Sequence, residues 1–354
     1  MKTKLSLIAV AIVGATVSSP ASLLSEAIEG ISHEGELRLG AIKTADTDNH
    51  KTRTISLGGK LAISTKAIEG ISATATFLTT NALFGKDNER SFLDSNANSY
   101  SIVGEAYLQG NFSNTIIKAG RQILDTPYAD SDDIGMIPNS FEGYTLINHD
   151  LEDTRIVLAS LEKWAGFDAP QSEKFSKMQT SGDPVLTAGL IYEGLENTTL
   201  QAWHYSLDDA DFNYAELSYE ADTFSMALQY TEQGKDNSAY GMRLGANVEG
   251  LSLVTAYNKV EGVVVNGFGG GPFFSSSEDH TIAEENNQEA ILYGVEYSLG
   301  RVTFGATHLN LDIGENETDY LATFQVNKNH TLDLIYSDMY DDGNRLEFFA
   351  NYQF

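Results

Sequence analysis

Residues 224–248 read FSMALQYTEQGKDNSAYGMRLGANV, and two alternating segments within this stretch decide the fold. Large apolar residues occupy every second position from Phe224 to Tyr230 and again from Tyr240 to Val248, with only one alanine among them. Polar or small residues fill most of the positions between them. A period of two with one apolar face indicates a half-buried β-strand. The stretch therefore predicts two neighbouring strands.

The same alternation continues through almost the whole chain, in about eighteen segments that end at residue 354. Removing an N-terminal leader leaves about 333 residues, or ~18.5 for each strand with its connection. That length matches a membrane-spanning strand of ~10 residues plus an average loop. The sequence therefore predicts an all-β fold, a transmembrane antiparallel β-barrel of about 18 strands.

The connections between these segments alternate in length. Short turns are expected at 112–113, 221–222, 249–250 and 300, and longer polar loops at 81–98, 122–141, 165–184 and 260–287. Short turns on one side and long loops on the other are typical of outer-membrane barrels. An even strand count places both termini on the short-turn side. A secreted sandwich or propeller is the alternative, but no repeat of ~40 residues is visible.

Composition and charge exclude several other classes. The chain has 50 acidic and 22 basic residues, a net charge of -28, which argues against a nucleic-acid partner. It has no cysteine, so disulfides, thiol catalysis and cysteine-ligated metals are excluded. No apolar run approaches the ~18 residues of a spanning helix, whereas a barrel needs no such run.

The N-terminus has the order of features of an export signal. Lys2 and Lys4 precede an apolar stretch from Leu5 to Val17, and small residues follow. We expect residues 1–21 to be a signal peptide cleaved after Ala21, with a cut after Ser18 as the alternative. Residues 22–354 would then form the barrel. A short buried helix in a cytosolic domain is the competing interpretation.

A longer motif lies between residues 118 and 144, which read KAGRQILDTPYADSDDIGMIPNSFEGY. It resembles the third extracellular loop, and the strand leading into it, of the OprD-type porins of Gram-negative outer membranes. The matching parts are Gly120-Arg121, Thr126-Pro127 and the run from Met136 to Glu142. Residues 35–40, GELRLG, resemble the first strand of that family. The resemblance implies a water-filled channel through which small hydrophilic solutes and ions diffuse passively.

In the OprD family the third loop folds into the lumen and narrows it, and the residues of loop 122–141 favour the same path. The loop is long, yet it carries apolar side chains that a solvated loop does not need; they are Ile123, Leu124, Ile134, Met136 and Ile137. Pro127 and Pro138 stiffen its two ends. An ordinary surface loop is the alternative.

The phase of the alternation predicts which charged residues face the lumen. The expected inward basic residues are Arg38, Lys60, Lys118, Arg243, Arg301 and Arg345, with Arg121 at the mouth of its strand. The resemblance implies that such residues guide carboxylates past the constriction. Alternatively, each pairs with a nearby lumen carboxylate. The loop acids expected to oppose them are Asp125, Asp130, Asp132 and Asp133. Such a split field suits an amino acid or another zwitterion, and it suits a cation too.

The expected function is an outer-membrane porin, with a preference for small carboxylates, amino acids or peptides. A non-specific, mildly cation-selective porin is the alternative, and a barrel lipase or protease is a distant one. No HExxH or G-x-S-x-G pattern occurs, so no enzyme is expected. No cofactor or metal is expected either. The expected partners are outer-membrane lipids, lipopolysaccharide and small solutes, with the chain a monomer or a homotrimer. The resemblance implies that the terminal Phe354 is the membrane-insertion signal.

Overall fold

The computed structural model describes residues 30–48, 50–85 and 92–354. The expected signal peptide, residues 1–21 with its cleavage after Ala21, lies outside the described residues and stays a prediction. No helix within the described ranges is long and apolar enough to cross a membrane.

Within these ranges the chain forms nineteen β-strands. They are β1 (Ser32–Ala45), β2 (Lys51–Ser64), β3 (Ile71–Phe84), β4 (Tyr100–Phe112), β5 (Thr115–Gln122), β6 (Ser140–Asn148), β7 (Thr154–Ala165), β8 (Ser176–Lys177), β9 (Val185–Leu195), β10 (Thr198–Ser206), β11 (Asp211–Glu220), β12 (Phe224–Gln233), β13 (Asn237–Val248), β14 (Leu251–Glu261), β15 (Glu289–Leu299), β16 (Val302–Leu311), β17 (Glu317–Asn327), β18 (His330–Asp338) and β19 (Asn344–Gln353). A single 3-10 turn, Tyr340–Asp342, precedes the last strand.

Eighteen of these strands close into one barrel. Each pairs antiparallel with the next, and β1 pairs with β19, from Glu36 opposite Gln353 to Ala45 opposite Asn344. The two-residue β8 pairs with the end of β7, and β7 pairs directly with β9. The prediction of a closed antiparallel barrel of eighteen strands is confirmed.

The two faces of the wall differ as the period-two pattern requires. On β1 the side chain of Leu37 is 51% exposed, whereas that of Ile42, on the opposite face, is 4% exposed. Exposed leucines, phenylalanines and tyrosines continue around the outer face on neighbouring strands. A closed sheet leaves no strand edge unpaired, so its backbone hydrogen bonds are satisfied within a lipid bilayer. The apolar outer belt provides the surface that the lipid chains contact.

The two ends of the barrel carry different connections. At one end, here the turn end, every connection is two to six residues long. The opposite end, here the loop end, carries the long third loop (123–139), fourth loop (166–184) and seventh loop (262–288). Short connections such as 234–236 also occur at the loop end. Both termini of the barrel lie at the turn end, where Phe354 and Gly35 exchange two backbone hydrogen bonds of 3.0 Å.

Candidate functional site

The first half of the third loop lies inside the barrel. The ring of Tyr128 makes edge contacts with Tyr205, Phe212 and Tyr214, at centroid distances of 5.2 to 6.2 Å. Its hydroxyl lies 2.5 Å from Thr231 Oγ1. These partners belong to β10, β11 and β12, which lie three to five strands around the wall from β6. Burial raises the pKa of Tyr128 to about 12, so its phenol stays neutral.

The second half of the same loop reaches another part of the wall. Met136 and Ile137 are buried in a cluster that includes Ile42 of β1 and Phe349 of β19. Gly40 makes room for this contact, since a Cβ there would lie 2.7 Å from the sulfur of Met136. The first half of the loop contacts β10 to β12 and the second half contacts β1 and β19, so the loop crosses the interior of the barrel. Ile134 differs from the expectation, because it is 41% exposed.

The seventh loop also enters the barrel, which the sequence reasoning missed. Its residues Val264, Phe273 and Ile282 are buried against β13 to β16. The carboxylate of Asp130 in the third loop accepts hydrogen bonds of 3.3 Å from the backbone N–H groups of Gly270 and Gly271. The glycine-rich stretch 267–271, with Phe268 as its one other residue, was the available signal, because these bonds need close approach of the backbone.

Two of the expected lumen arginines are bound to loop carboxylates. Arg38 Nη1 lies 2.8 Å from Asp133 Oδ1 in the third loop, and Arg38 Nη2 lies 2.9 Å from Glu36 Oε1. Arg345 pairs with Asp279 in the seventh loop and lies 3.1 Å from Glu347. These arginines therefore hold the two loops against the wall, and their charge is largely neutralised there.

Three other expected lumen cations have no ion pair in the described part of the chain. Lys118 Nζ lies 4.7 Å from the centre of the Tyr107 ring, and the guanidinium of Arg243 lies 5.0 Å from that of Phe274 in the seventh loop. Lys60 lines a cavity of about 410 Å³ that reaches the turn end. We call Lys60, Lys118 and Arg243 the basic strip.

Two predicted pore-lining residues lie elsewhere. Arg121 Nε lies 3.0 Å from Glu142, which also binds Lys163, and its guanidinium stacks 4.2 Å from the Phe175 ring. These contacts hold Arg121 at the root of the third loop, away from the loop aspartates. Arg301 lies in an exposed turn and donates 3.0 Å to the carbonyl of Val326. The alternation of faces does not predict the direction of the Arg301 side chain, because Arg301 lies in the turn before β16 and not in the strand.

The loop acids serve different contacts. Asp125 accepts 2.7 Å from Ser131 Oγ within its own loop, and Asp133 binds Arg38. The others meet the fourth and seventh loops around a cavity of about 300 Å³ at the loop end, the acidic vestibule. Its charged lining residues are Asp130, Asp132, Asp168, Glu278, Asp279 and His280.

Burial changes the ionisation of two vestibule carboxyls. It raises the pKa of Asp130 to about 6, although the glycine N–H groups oppose the shift. It raises the pKa of Glu278 to about 7, with Asp319 adding to the effect and Arg345 opposing it. The hydrogen bond from His280 Nδ1 to Glu317, 2.8 Å long, raises the pKa of His280. The charge of the vestibule therefore depends on pH near neutrality.

Comparison with known proteins identifies a family and a fold. A family model described as outer membrane porin, OprD family, matches residues 81–305. No match was found among curated proteins. Solved structures of low sequence identity superpose over most of the chain, and at that identity they show the fold alone.

Three of these structures illustrate the similarity. Pseudomonas aeruginosa OpdK, solved with vanillate, is 15% identical over 92% of this chain and 99% of its own, with a TM-score of 0.79. A BenF-like porin from Pseudomonas fluorescens Pf-5 is 14% identical over 92% and 99%, with a TM-score of 0.81. Pseudomonas aeruginosa OccD3 (OpdP) is 16% identical over 92% and 91%, with a TM-score of 0.77.

Proposed function

The chain belongs to the OprD family of outer membrane porins, and we propose that its channel favours small solutes that carry an ammonium group, zwitterions included. The protein lies in the outer membrane and forms a channel for small solutes; it is a porin and not an enzyme. The proposal concerns which solutes that channel prefers.

The acidic vestibule is the observation that carries this proposal. Its lining holds five carboxyl groups and one histidine, and Arg345 neutralises one of the five, Asp279. Carboxylates around a narrow opening focus their field and raise the local concentration of cations. A solute that approaches from the loop end meets this field first.

The cations of the basic strip lie on different sides of the wall, on β2, β5 and β13, and Lys60 and Lys118 are the two that lie toward the turn end. These three cations have no ion pair in the described chain, so they are available to a solute carboxylate. A solute that enters from the loop end would meet the carboxylates first and the basic strip second. The first set would attract the ammonium group of a zwitterion, and the second its carboxylate.

A second candidate is a channel that prefers carboxylates without an ammonium group. The basic strip favours this second candidate. The crystal structure of the similar protein OpdK with vanillate also favours it. Block of single-channel current separates the two candidates. Lysine and alanine should block the current more often than benzoate at equal concentration. More frequent block by benzoate would establish the second candidate instead.

We further propose that the third loop sets the pore size. Its contacts on opposite sides of the wall support this role. Deleting about ten residues around Asp130 to Ile134 should raise the single-channel conductance. A folded deletion variant with unchanged conductance would rule the role out.

Two partner proposals accompany the channel. Lipopolysaccharide would meet the acidic loop end through divalent cations, and the barrel would work as a monomer or a homotrimer. Native mass spectrometry with and without a chelator tests both, because it reports bound lipid and subunit number together.

A further inference from the structure

Two buried amide side chains meet over a glycine on the inner face of the wall. Gln229 of β12 and Asn258 of β14 both lie opposite Gly241 of β13 in the strand registers. Asn258 Nδ2 donates a hydrogen bond of 3.0 Å to Gln229 Oε1. Glycine leaves room for this bond, since a Cβ at position 241 would lie 2.2 Å from Asn258 Nδ2. Gln229 and Asn258 are 6% and 0% exposed, and we call them the amide pair.

The amide pair holds one segment of the seventh loop against the wall. Gln229 Nε2 donates 2.9 Å to the carbonyl of Pro272, and Gln229 Oε1 accepts 2.9 Å from the backbone N–H of Phe274. Asn258 Oδ1 accepts 2.9 Å from the backbone N–H of Ser275. A buried polar group that loses its partner costs free energy, so these three hydrogen bonds fix the path of the segment.

This segment places an aromatic ring on one cation of the basic strip. Arg243 follows Gly241 by two positions on β13, so the two residues share the inner face of the wall. The guanidinium carbon of Arg243 lies 5.0 Å from the centre of the Phe274 ring. The backbone N–H of Phe274 is itself bound by Gln229. The amide pair, the loop segment and the ring therefore form one series of contacts that ends at Arg243.

The ring leaves the hydrogen-bond donors of Arg243 available. A cation–π contact uses the face of the ring, and the five N–H groups of a guanidinium can still bind a carboxylate. Within the described ranges Arg243 makes no ion pair, and it lines a cavity of about 500 Å³ on the inner face together with Glu220 and Glu296. Phe274 limits the orientations of the arginine, and an ordered side chain loses less conformational entropy when a ligand binds.

We propose that the amide pair and Phe274 are positioning residues for Arg243, which they hold in the orientation that binds the carboxylate group of a passing solute. The inference rests on the proposed role of the basic strip, in which Arg243 meets solute carboxylates. Arg38 and Arg345 are held by loop carboxylates that neutralise them, whereas the seventh loop holds Arg243 with a ring that leaves its charge intact.

The test is block of single-channel current in planar bilayers by two probes of equal length. Succinate carries two carboxylates, and putrescine carries two ammonium groups on a chain of the same length. Phe274→Ala removes the ring, Gln229→Ala removes the amide that holds it, and Phe274→Tyr retains the ring. Phe268→Ala is the matched control, because that ring, also in the seventh loop, lies against Trp164. Each variant is also combined with Arg243→Gln, and heat-modifiable mobility in gels shows that each is folded.

Arg243→Gln should weaken the block by succinate. Phe274→Ala and Gln229→Ala should each weaken it about threefold to tenfold, the effect of ordering one long side chain on binding. Neither should weaken it further in the Arg243→Gln background. Phe274→Tyr and Phe268→Ala channels should be blocked as the wild type is. Block by putrescine should not weaken in any variant, because an ammonium group does not bind an arginine.

Three results would overturn the inference, and they separate it from the proposed function. If Arg243→Gln leaves block by succinate unchanged, Arg243 does not meet the solute, and its place in the basic strip is lost as well. If Arg243→Gln weakens the block but Phe274→Ala and Gln229→Ala do not, the basic strip stands and the positioning role is wrong. An equal loss from Phe274→Ala in both backgrounds would show a change in pore shape that does not act through Arg243.

Discussion

Lys118 and Arg121 are three positions apart on β5, and their surroundings give them different roles. Among the described residues Lys118 lies against a tyrosine ring and makes no ion pair, whereas Arg121 is neutralised by Glu142. Lys118→Gln should strengthen cation preference about twofold to fivefold in the permeability ratio, the effect of ~0.5–1 kcal/mol. Arg121→Gln is the matched control and should leave the ratio unchanged. Reversal potentials measure both, and equal shifts in the two variants would contradict the assignment.

Gly35 and Phe354 form a contact that only a glycine permits. A Cβ at position 35 would lie 2.4 Å from the Phe354 ring. Gly35→Val should therefore displace the terminal ring and slow membrane insertion, if Phe354 is the insertion signal that we predict. Phe354→Ala should have the same effect. The fraction of heat-modifiable barrel in outer-membrane preparations measures insertion, and wild-type yields from both variants would refute this role.

At the scale of single residues, the sequence predicts the face of the wall on which a residue lies better than it predicts the side chain to which that residue binds. The period of two places Arg38, Lys60, Lys118, Arg243 and Arg345 on the face opposite the exposed apolar residues, and the strand registers agree with that phase. That these residues line the permeation path stays a prediction. The period carries no information about which carboxylate a folded loop brings to each. The Arg38–Asp133 pair joins residues 95 positions apart, so only the closed barrel brings them together.

At the scale of elements, the third loop depends on one aromatic anchor. Tyr128→Ala removes a buried ring with three aromatic neighbours and should weaken the seating of the loop by about 3–5 kcal/mol. Open-channel noise and mean conductance should both rise. Tyr144→Ala provides the control, because that ring is 56% exposed on the outer face. If the Tyr128→Ala channel shows wild-type open-channel noise and wild-type conductance, Tyr128 does not anchor the loop.

The seventh loop makes the vestibule sensitive to pH. Burial raises the pKa of Glu278 from 4.5 to about 7, so its carboxyl is neutral at pH 5 and charged at pH 8. Cation preference should therefore increase as the pH rises between these values. The pKa of the Glu278 carboxyl is higher in the folded chain than in the unfolded chain. The unfolded chain therefore loses this proton first, and the free energy of unfolding falls as the pH rises from about 4.5 to 7.

Reversal potentials at pH 5 and pH 8 measure this effect. Glu278→Gln should reduce the difference between them without abolishing it, because Asp130, with a pKa raised to about 6, also titrates. An unchanged difference in the variant would show that Glu278 does not face the permeation path.

The strands were predictable and the inward loops were only partly so. Alternation is a local property, so β12 and β13 can be identified from the stretch that spans them. The path of the seventh loop depends on contacts between residues far apart in the chain, such as Asp130 with Gly271, 141 positions apart. The glycine-rich stretch 267–271 permits close approach of the backbone but does not indicate which residue it approaches.

At the scale of the whole molecule, the acid excess and the barrel act together. The net charge of -28 surrounds a lumen whose arginines are in part already paired with loop carboxylates. The remaining field at the vestibule is negative, which gives cations the advantage at the loop end. High salt should weaken this advantage, because the Debye length falls from about 10 Å at 0.1 M to about 3 Å at 1 M.

The reversal potential of single wild-type channels in a planar bilayer, under a tenfold KCl gradient at pH 7, tests the account most directly. We predict an open channel whose reversal potential is displaced toward the equilibrium potential of K⁺, with the displacement shrinking in molar salt. A reversal potential displaced toward that of Cl⁻, or a barrel that conducts no current, would contradict it.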